Sequence, residues 1–289
     1  MYPSRFDYES PKTVEEAVKL LEAGKGEAKV LAGGQSLVPM LKLRFAFPEQ
    51  VVDINNIPGL DYIRFDADGS LHIGALVRHE HLEKSAEIAK RQPTISAAAP
   101  LVADPIVRTR GTFVGSVCHA DPQGDWAATM IALNGSIIVQ GPKGKRTIAM
   151  KDFVLGPYAT SMNYNELAIE AVIPAPKGVA RGGYLKLERR VGDFATASVA
   201  VALDMDGDTV IGAGFALAGV GGKTIDANEA ASALIGQKLT EATIAKAAAI
   251  VAAKAEPRTD HRGSAEYKRH IVEIFVKRIL VANSTQKVA

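Results

Sequence analysis

The chain has 289 residues, 34 Lys and Arg against 32 Asp and Glu, a formal net charge of +2 and 47% hydrophobic residues. That length can bury two or three subdomain cores, and a near-balanced charge spread along the chain excludes an electrostatic footprint for nucleic acid or an anionic membrane surface. A single cysteine, Cys118, excludes an internal disulfide and any cysteine-held metal cluster made by this chain alone. The first residues, Met1-Tyr2-Pro3-Ser4-Arg5, lack the apolar core of a signal peptide, and no run approaches the roughly 20 apolar residues of a membrane span. The expectation is a cytoplasmic protein with no transmembrane segment.

Residues 1–10 read as extended. Thr13-Val14-Glu15-Glu16 after Pro11 predicts a boxed helix start, with Val14, Ala17, Val18 and Leu21 on one face and Gly24 and Gly26 ending it. A strand over 28–31 runs into a glycine-rich turn, Leu31-Ala32-Gly33-Gly34-Gln35-Ser36. Ser36 is expected to cap a brief helix with Leu37, Met40 and Leu41 inside, and Pro48 precedes a strand over 51–54. This strand–helix–strand unit fills residues 1–57. A hairpin around Ala67-Asp68-Gly69 opens a second unit, 58–177. Helical patterns follow at 79–88 and 95–102, and Pro105 stops the second. Next come a second glycine-rich turn, Arg110-Gly111-Thr112-Phe113-Val114-Gly115-Ser116, a buried helix over 127–133, paired strands at 136–139 and 146–150, and a strand over 167–173. Pro174-Ala175-Pro176 with Gly178 is the clearest linker. The third unit, 178–289, predicts a hairpin of 197–205 and 209–217 across Asp206-Gly207-Asp208, then helices at 227–234, 240–253 and 267–283. An α+β architecture results, with helices on one side of an antiparallel sheet in the last unit.

The two glycine turns carry the chemistry. Glycine lets backbone approach a ligand closely, and successive N–H groups in such a turn form a concavity for anionic oxygens. The hydroxyls of Ser36 and Thr112 add donors, and two turns suit a diphosphate, one on each side. Asp121 and Asp125 flank Pro122, where a carboxylate can hydrogen-bond ribose or ribityl hydroxyls or, for Asp125, cap the following helix; spacing leaves both open. Lys186, Arg189 and Arg190 read by periodicity as the exposed face of an edge strand. His79 and His81 point to different sides of a helix, which disfavours a metal site, and Cys118 reads as a small packed residue. Gly221-Gly222-Lys223-Thr224 lacks the glycine that an NTP-binding loop needs five positions before Gly222, where Leu217 stands. Neither a nucleophile elbow nor a Rossmann fingerprint is present, and no catalytic acid or base is singled out.

Taken together, these stretches resemble the FAD-binding medium subunits of molybdenum hydroxylases, the carbon monoxide dehydrogenase, xanthine dehydrogenase and quinoline oxidoreductase family. The resemblance covers nearly the whole chain: Phe6-Asp7-Tyr8, Pro11-Lys12-Thr13, the first turn, Ala103-Asp104-Pro105, the second turn, His119-Ala120-Asp121-Pro122, the stretch from Lys186 to Ala195, and Gly263-Ser264-Ala265-Glu266-Tyr267. It implies a two-subdomain FAD fold of the vanillyl-alcohol oxidase (PCMH) type followed by an α+β C-terminal domain. It implies that Leu31, Ala32, Gly33, Gly34, Gln35 and Ser36 and, opposite them, Gly111, Thr112, Phe113, Val114, Gly115 and Ser116 hold the FAD diphosphate. His119 also belongs to the implied FAD site, Asp125 matches the family's flavin-site aspartate, Lys186 its lysine near the flavin, and Phe194 the residue packed on the isoalloxazine ring.

The resemblance further implies partners: a large subunit with the molybdenum cofactor, a small subunit with two [2Fe–2S] clusters, a dimer of heterotrimers, and an external electron acceptor to which FAD passes electrons. Two departures stand out. Val114 replaces a glycine of the family's second motif, and a β-branched residue resists φ > 0, so either that position has an ordinary φ or the turn is rearranged. Phe194 replaces a common tyrosine and loses its hydroxyl. Two other readings follow: a free-standing flavin reductase or oxidase of the same fold, and a structural subunit that has lost FAD.

Overall fold

The computed structural model describes residues 2–284; Met1 and residues 285–289, the end of the expected third unit, lie outside the described residues. Three sheets of three or more strands follow one another along the described chain, with one two-stranded ribbon. The first holds β1 (Asp7–Glu9), β2 (Ala28–Leu31) and β3 (Gln50–Asp53), all parallel in the order β1-β3-β2, with α1 (Val14–Ala23) and α2 (Leu37–Lys42) in the connections. The Thr13 hydroxyl accepts the Glu16 N–H at 3.1 Å and starts α1. The Glu16 carboxylate reaches one residue beyond the cap, to the Lys12 N–H at 2.7 Å. Ala17, Val18 and Leu21 are the buried stripe of α1, as their spacing predicts. Because β2 and β3 are parallel, Leu31 lies opposite Asp53 and both strands release the chain at one edge.

The second sheet is antiparallel, in the order β4-β5-β10-β6-β7, built from β4 (Ile63–Phe65), β5 (Leu71–Gly74), β6 (Ser136–Gly141), β7 (Gly144–Ala149) and β10 (Leu167–Ile173). Between β5 and β6 run six helices: α3 (His79–Lys84), α4 (Ala86–Arg91), α5 (Pro93–Ala98), α6 (Pro105–Arg108), α7 (Phe113–His119) and α8 (Asp125–Ala132). The single helix expected over 79–88 is two, because the Ser85 hydroxyl accepts the Ile88 N–H at 3.2 Å and starts α4 afresh. Every residue of α8 is buried. Between β7 and β10 lie α9 (Met150–Phe153) and the ribbon of β8 (Val154–Gly156) and β9 (Ala159–Thr160).

The third sheet is antiparallel, β11 (Val179–Leu187), β12 (Ala197–Asp206), β13 (Thr209–Ala218) and β14 (Ile225–Asp226). The expected helix at 227–234 is a 3₁₀ segment, Asn228–Ala233, followed by α10 (Glu241–Lys254) and α11 (Ala265–Ala282). The helices of this unit lie on one side of its sheet, as expected, and the other face is covered by helices of the preceding unit. Along β12 the residues alternate. Val199, Val201 and Leu203 join the core with α10 and α11, while Ala200 and Ala202 face the core of the preceding unit, where α5 and α8 pack on the sheet. Sequence periodicity shows that a strand is buried on two faces but not that its second cover comes from another part of the chain.

Candidate functional site

The two glycine turns, about eighty residues apart in sequence, touch. A Cβ on Gly33 would run into the Arg110 carbonyl oxygen and lie 2.7 Å from Gly111 Cα and 2.9 Å from Thr112 N. Gly33 is therefore required by close approach and not by its φ, whereas Gly34 has φ +74 and redirects the chain into α2. The second turn is pinned as a bridge: the His79 N–H donates to Gly111 O and the Phe113 N–H to Val77 O, both at 3.0 Å. A Cβ on Gly111 would meet the His79 ring at 2.7 Å, so a side chain would displace the histidine.

Side chains that sequence reasoning missed lock the turns to each other. Asn55, two residues past β3, donates to Ala32 O at 2.8 Å and accepts from Arg78 at 2.6 Å; Arg78 donates to Arg110 O at 2.6 Å. Asp53 accepts from Asn55 and, at 2.6 Å, from the Tyr8 hydroxyl. Burial pushes the Asp53 carboxyl up, but the hydrogen bonds from Tyr8 and Asn55 outweigh it and leave it below its ordinary value. Burial, and then repulsion from Arg110, pull the Arg78 guanidinium down. The signal available in the sequence was position: Asp53 and Asn55 leave a strand at the carboxyl edge where open parallel sheets bind ligands.

Around the first turn is a cavity of about 520 Å³, lined by Leu31 to Gln35 and by Val38, Lys42, Asp53, Asn55 and Arg110 among others. Unused backbone donors lie in its glycine-turn wall and in the second turn beyond Arg110. Among the described residues, the N–H groups of Gly33, Gly34, Gln35 and Ser36 reach no protein acceptor, nor do those of Thr112, Val114 and Gly115. The Thr112 hydroxyl is buried with no partner. It stands at the N-cap of α7 without capping it, and a Cβ on Gly115 would collide with it. A buried hydroxyl without a partner costs about 1–3 kcal/mol.

Several expectations change. Ser36 occupies the N-cap of α2 but in a helical conformation with no side-chain cap bond. Val114 lies within α7 with an ordinary helical φ and is 2% exposed, so the β-branched residue brings no strain and the turn is not rearranged. Phe113 and Val114 turn their side chains into the core, Phe113 against Trp126 at 4.7 Å between centroids, and both residues are buried as a whole. Ser116 donates its N–H to Thr112 O at 3.0 Å. His119 ends α7, half-buried, with its ring 5.1 Å from that of Tyr158; burial lowers its pKa, and Asp121 opposes this. Cys118 is packed beside Met162, its thiol pushed up to about 12 by burial.

Asp125 does not cap α8, since Gly124 takes the N-cap. Its carboxylate turns inward, where Tyr184 donates at 2.6 Å and Lys186 at 3.3 Å. Lys186, read by periodicity as exposed, has a side chain only 1% exposed and separates from Arg189 and Arg190, which stay exposed. Its ammonium also donates to Leu101 O at 2.7 Å and lies 3.4 Å from Glu188. Burial raises the Asp125 carboxyl against the pull of Lys186, and raises the Tyr184 phenol well above its ordinary value together with the Asp125 charge. This cluster joins α8 to β11. Phe194 lies in the loop after β11, 51% exposed. The turns thus come together as one cradle, and Asp125 and Lys186 as one ionic cluster. Among the described residues, no group of three or more His, Cys, Asp or Glu side chains is placed to hold a metal ion.

Residues 4–176 match the family described as the FAD binding domain in molybdopterin dehydrogenase, and residues 183–282 the CO dehydrogenase flavoprotein C-terminal domain. The chain is 41% identical to the carbon monoxide dehydrogenase medium chain of Hydrogenophaga pseudoflava over 98% of both chains. It is 36% identical to the glyceraldehyde dehydrogenase medium chain of Sulfolobus acidocaldarius over 95% of this chain and 97% of the other. It superimposes on a chain of the Hydrogenophaga pseudoflava carbon monoxide dehydrogenase with a TM-score of 0.93, covering all of both chains. With a chain of quinoline 2-oxidoreductase from Pseudomonas putida 86 the TM-score is 0.90 at 30% identity, again over all of both. A cradle of free backbone donors between two glycine turns, on a chain that matches these families end to end, identifies an oxidoreductase subunit that belongs to the FAD-binding medium subunits of the molybdenum hydroxylases.

Proposed function

We propose that this chain holds the FAD diphosphate between its two glycine turns and relays electrons from a [2Fe–2S] small subunit to an external acceptor. A large subunit beside it carries the molybdenum cofactor, within a cytoplasmic dimer of heterotrimers. The observation that carries the reading is the close approach of the two turns, where Gly33 leaves no room for a Cβ against Arg110, Gly111 and Thr112 while the N–H groups of Gly33, Gly34 and Gln35 reach no protein acceptor. The residues present fit a diphosphate: free N–H groups on two sides, and Lys42 and Arg110 to offset its charge.

FAD, when bound, supplies a carrier that exchanges electrons one or two at a time. The protein's own work is binding and orientation. Asn55 and Arg78 hold the turns at a fixed separation, so the donors are pre-organised. Leu31 and Ala32 wall the cavity, Val114 contributes its free N–H, and Phe113 anchors the second turn through its bond to Val77 O. Asp125 and Lys186 fix β11 against α8, and so set where the loop bearing Phe194 leaves the sheet. Phe194, a half-exposed residue, covers one face of the isoalloxazine, and His119 lies beside the same ligand.

With one cysteine, this chain leaves the iron–sulfur clusters to other subunits. Its relatives are medium chains of enzymes named for carbon monoxide, glyceraldehyde and nicotine, the pattern expected of a subunit that does not touch the hydroxylated substrate. No helix among the described residues is long and apolar enough to cross a membrane. The helical φ of Val114 removes the feature that favoured a subunit without FAD. The test is a visible absorption spectrum of the purified chain, with its flavin released by heat and identified by chromatography. Flavin bands with FAD in near-equal amount to protein are expected; a folded, colourless chain that takes up no added FAD, with partners present, would overturn the reading.

A further inference from the structure

The stretch Gly263-Ser264-Ala265-Glu266-Tyr267 has no place in the account so far, and the structure gives it one. The Asp260 N–H donates to Gly263 O and the Gly263 N–H to Asp260 O, both at 3.1 Å, closing a tight turn before α11. Gly263 has φ +148, and a Cβ there would lie 2.9 Å from the Tyr267 ring. Lys268, 3% exposed, reaches back from α11 to the Asp260 carboxylate at 2.7 Å and the Arg258 carbonyl at 2.9 Å. The other Asp260 oxygen accepts the Arg262 N–H at 2.8 Å. Thr259 accepts the Ala265 N–H at 3.0 Å, and Ser264 caps α11 through the Tyr267 N–H at 3.1 Å. The backbone of Arg262 is thus held on both sides, and its guanidinium starts from a fixed point.

From there it reaches across the molecule. Arg262 Nη1 donates to Gln123 Oε1 at 3.1 Å and to the Phe194 carbonyl at 3.4 Å. Gln123 sits in the loop between α7 and α8, two residues before Asp125, and its N–H bonds Asp121 at 2.8 Å. The Phe194 loop is braced elsewhere by Gly192, at φ +89, where a Cβ would lie 3.1 Å from the Ala103 carbonyl. The backbone of Phe194 is therefore anchored while the residue is 51% exposed. A flat apolar side chain presented on a fixed backbone is arranged to stack, with little ordering entropy left to lose.

We propose that Arg262 is a positioning residue for Phe194. Aimed by Asp260, Gly263 and Lys268, it holds the Phe194 backbone so that the ring stands ready against the flavin. This rests on the flavin reading above, in which Phe194 faces the isoalloxazine.

The experiment uses the full chain co-expressed with its partner subunits, as wild type, Arg262→Gln and Arg262→Lys. Amide hydrogen exchange over residues 190–194 and the fluorescence of the bound flavin are read together. Loss of a charge-assisted hydrogen bond predicts exchange about tenfold faster in Arg262→Gln. The bound flavin becomes more fluorescent while its amount stays near that of wild type, and Arg262→Lys restores part of both. Gln123→Ala, which leaves the Phe194 contact in place, is expected to give a smaller change in the same direction. Exchange and emission equal to wild type in Arg262→Gln, or a loss of stability with no change local to residues 190–194, would overturn the proposal. A wild-type chain that takes up no FAD would overturn the flavin reading itself, and is told apart because the exchange measurement needs no flavin.

Discussion

Two joints of this molecule solve opposite problems. The glycine-turn cradle between the first and second sheets is built almost wholly from backbone: free N–H groups, no Cβ at Gly33, and one hydroxyl without a partner. The Asp125–Tyr184–Lys186–Glu188 cluster between the second and third is built from side chains: Tyr184 and Lys186 donate to Asp125, and one Glu188 oxygen lies 3.4 Å from the Lys186 ammonium without a hydrogen bond. The first joint has backbone donors that no acceptor in this chain uses. The second joins α8 to β11 through paired side-chain charges. The contrast is between free backbone donors and an ionic cluster, though both joints hold residues that the family resemblance places near the cofactor.

The largest expected effect breaks the ionic joint. Lys186→Ala leaves the buried Asp125 carboxylate and the partly buried Glu188 without their cation, and removing one partner of a buried pair costs about 3–5 kcal/mol. Denaturant unfolding is expected to show that loss. A drop below 1 kcal/mol would mean that the cluster is wetter than its burial indicates.

Next comes a pH effect on the cradle side. Burial, then the charges of Arg108 and Arg78, lower the His79 pKa to about 4, and Trp126 donates to its ring at 3.0 Å. The folded pKa lies below the unfolded one, so the unfolded chain takes up the proton first. Stability is full above about pH 6.5 and falls as pH drops toward about 4, by about 3 kcal/mol over that window. His79→Gln is expected to be less stable at neutral pH but flatter between pH 6.5 and 4. An unchanged slope would assign the acid sensitivity to other groups.

Smaller still is Gly33→Ala. Its methyl meets the second turn, and overpacking of that kind costs about 1–3 kcal/mol. The distinguishing result is a loss of bound FAD well beyond the loss of stability. Thr112→Val sharpens the comparison most, because its sign reverses. Without ligand, replacing the unpartnered hydroxyl is expected to be neutral or slightly stabilising. With ligand, it is expected to weaken FAD binding by about 1 kcal/mol. Calorimetry with and without FAD checks both halves; equal effects in the two states would remove Thr112 from the site.

Much of this was legible in the sequence where the physics is local. The strand ending at Leu31, the glycines after it and the hairpin around Asp206-Gly207-Asp208 all follow from neighbours in the chain. What stayed hidden is long-range. Nothing near Asn55 announces Arg78, and nothing near Lys186 announces Asp125, because each pair meets only after the sheets assemble. Periodicity placed Lys186 outside because a lysine on an edge strand usually is; a buried carboxylate from α8 overrides that. Val114 reads as a disrupted glycine motif only while the turn is taken to need φ > 0 there, and a helix beginning at Phe113 needs none.

The claim that the two turns hold a diphosphate is tested most directly by titrating the flavin-free chain with FAD and with riboflavin, which has the same ring system and no phosphate. Several charge-assisted hydrogen bonds to the diphosphate predict FAD binding at least about a hundredfold tighter. Equal affinities for the two would contradict the account, whatever colour the protein has.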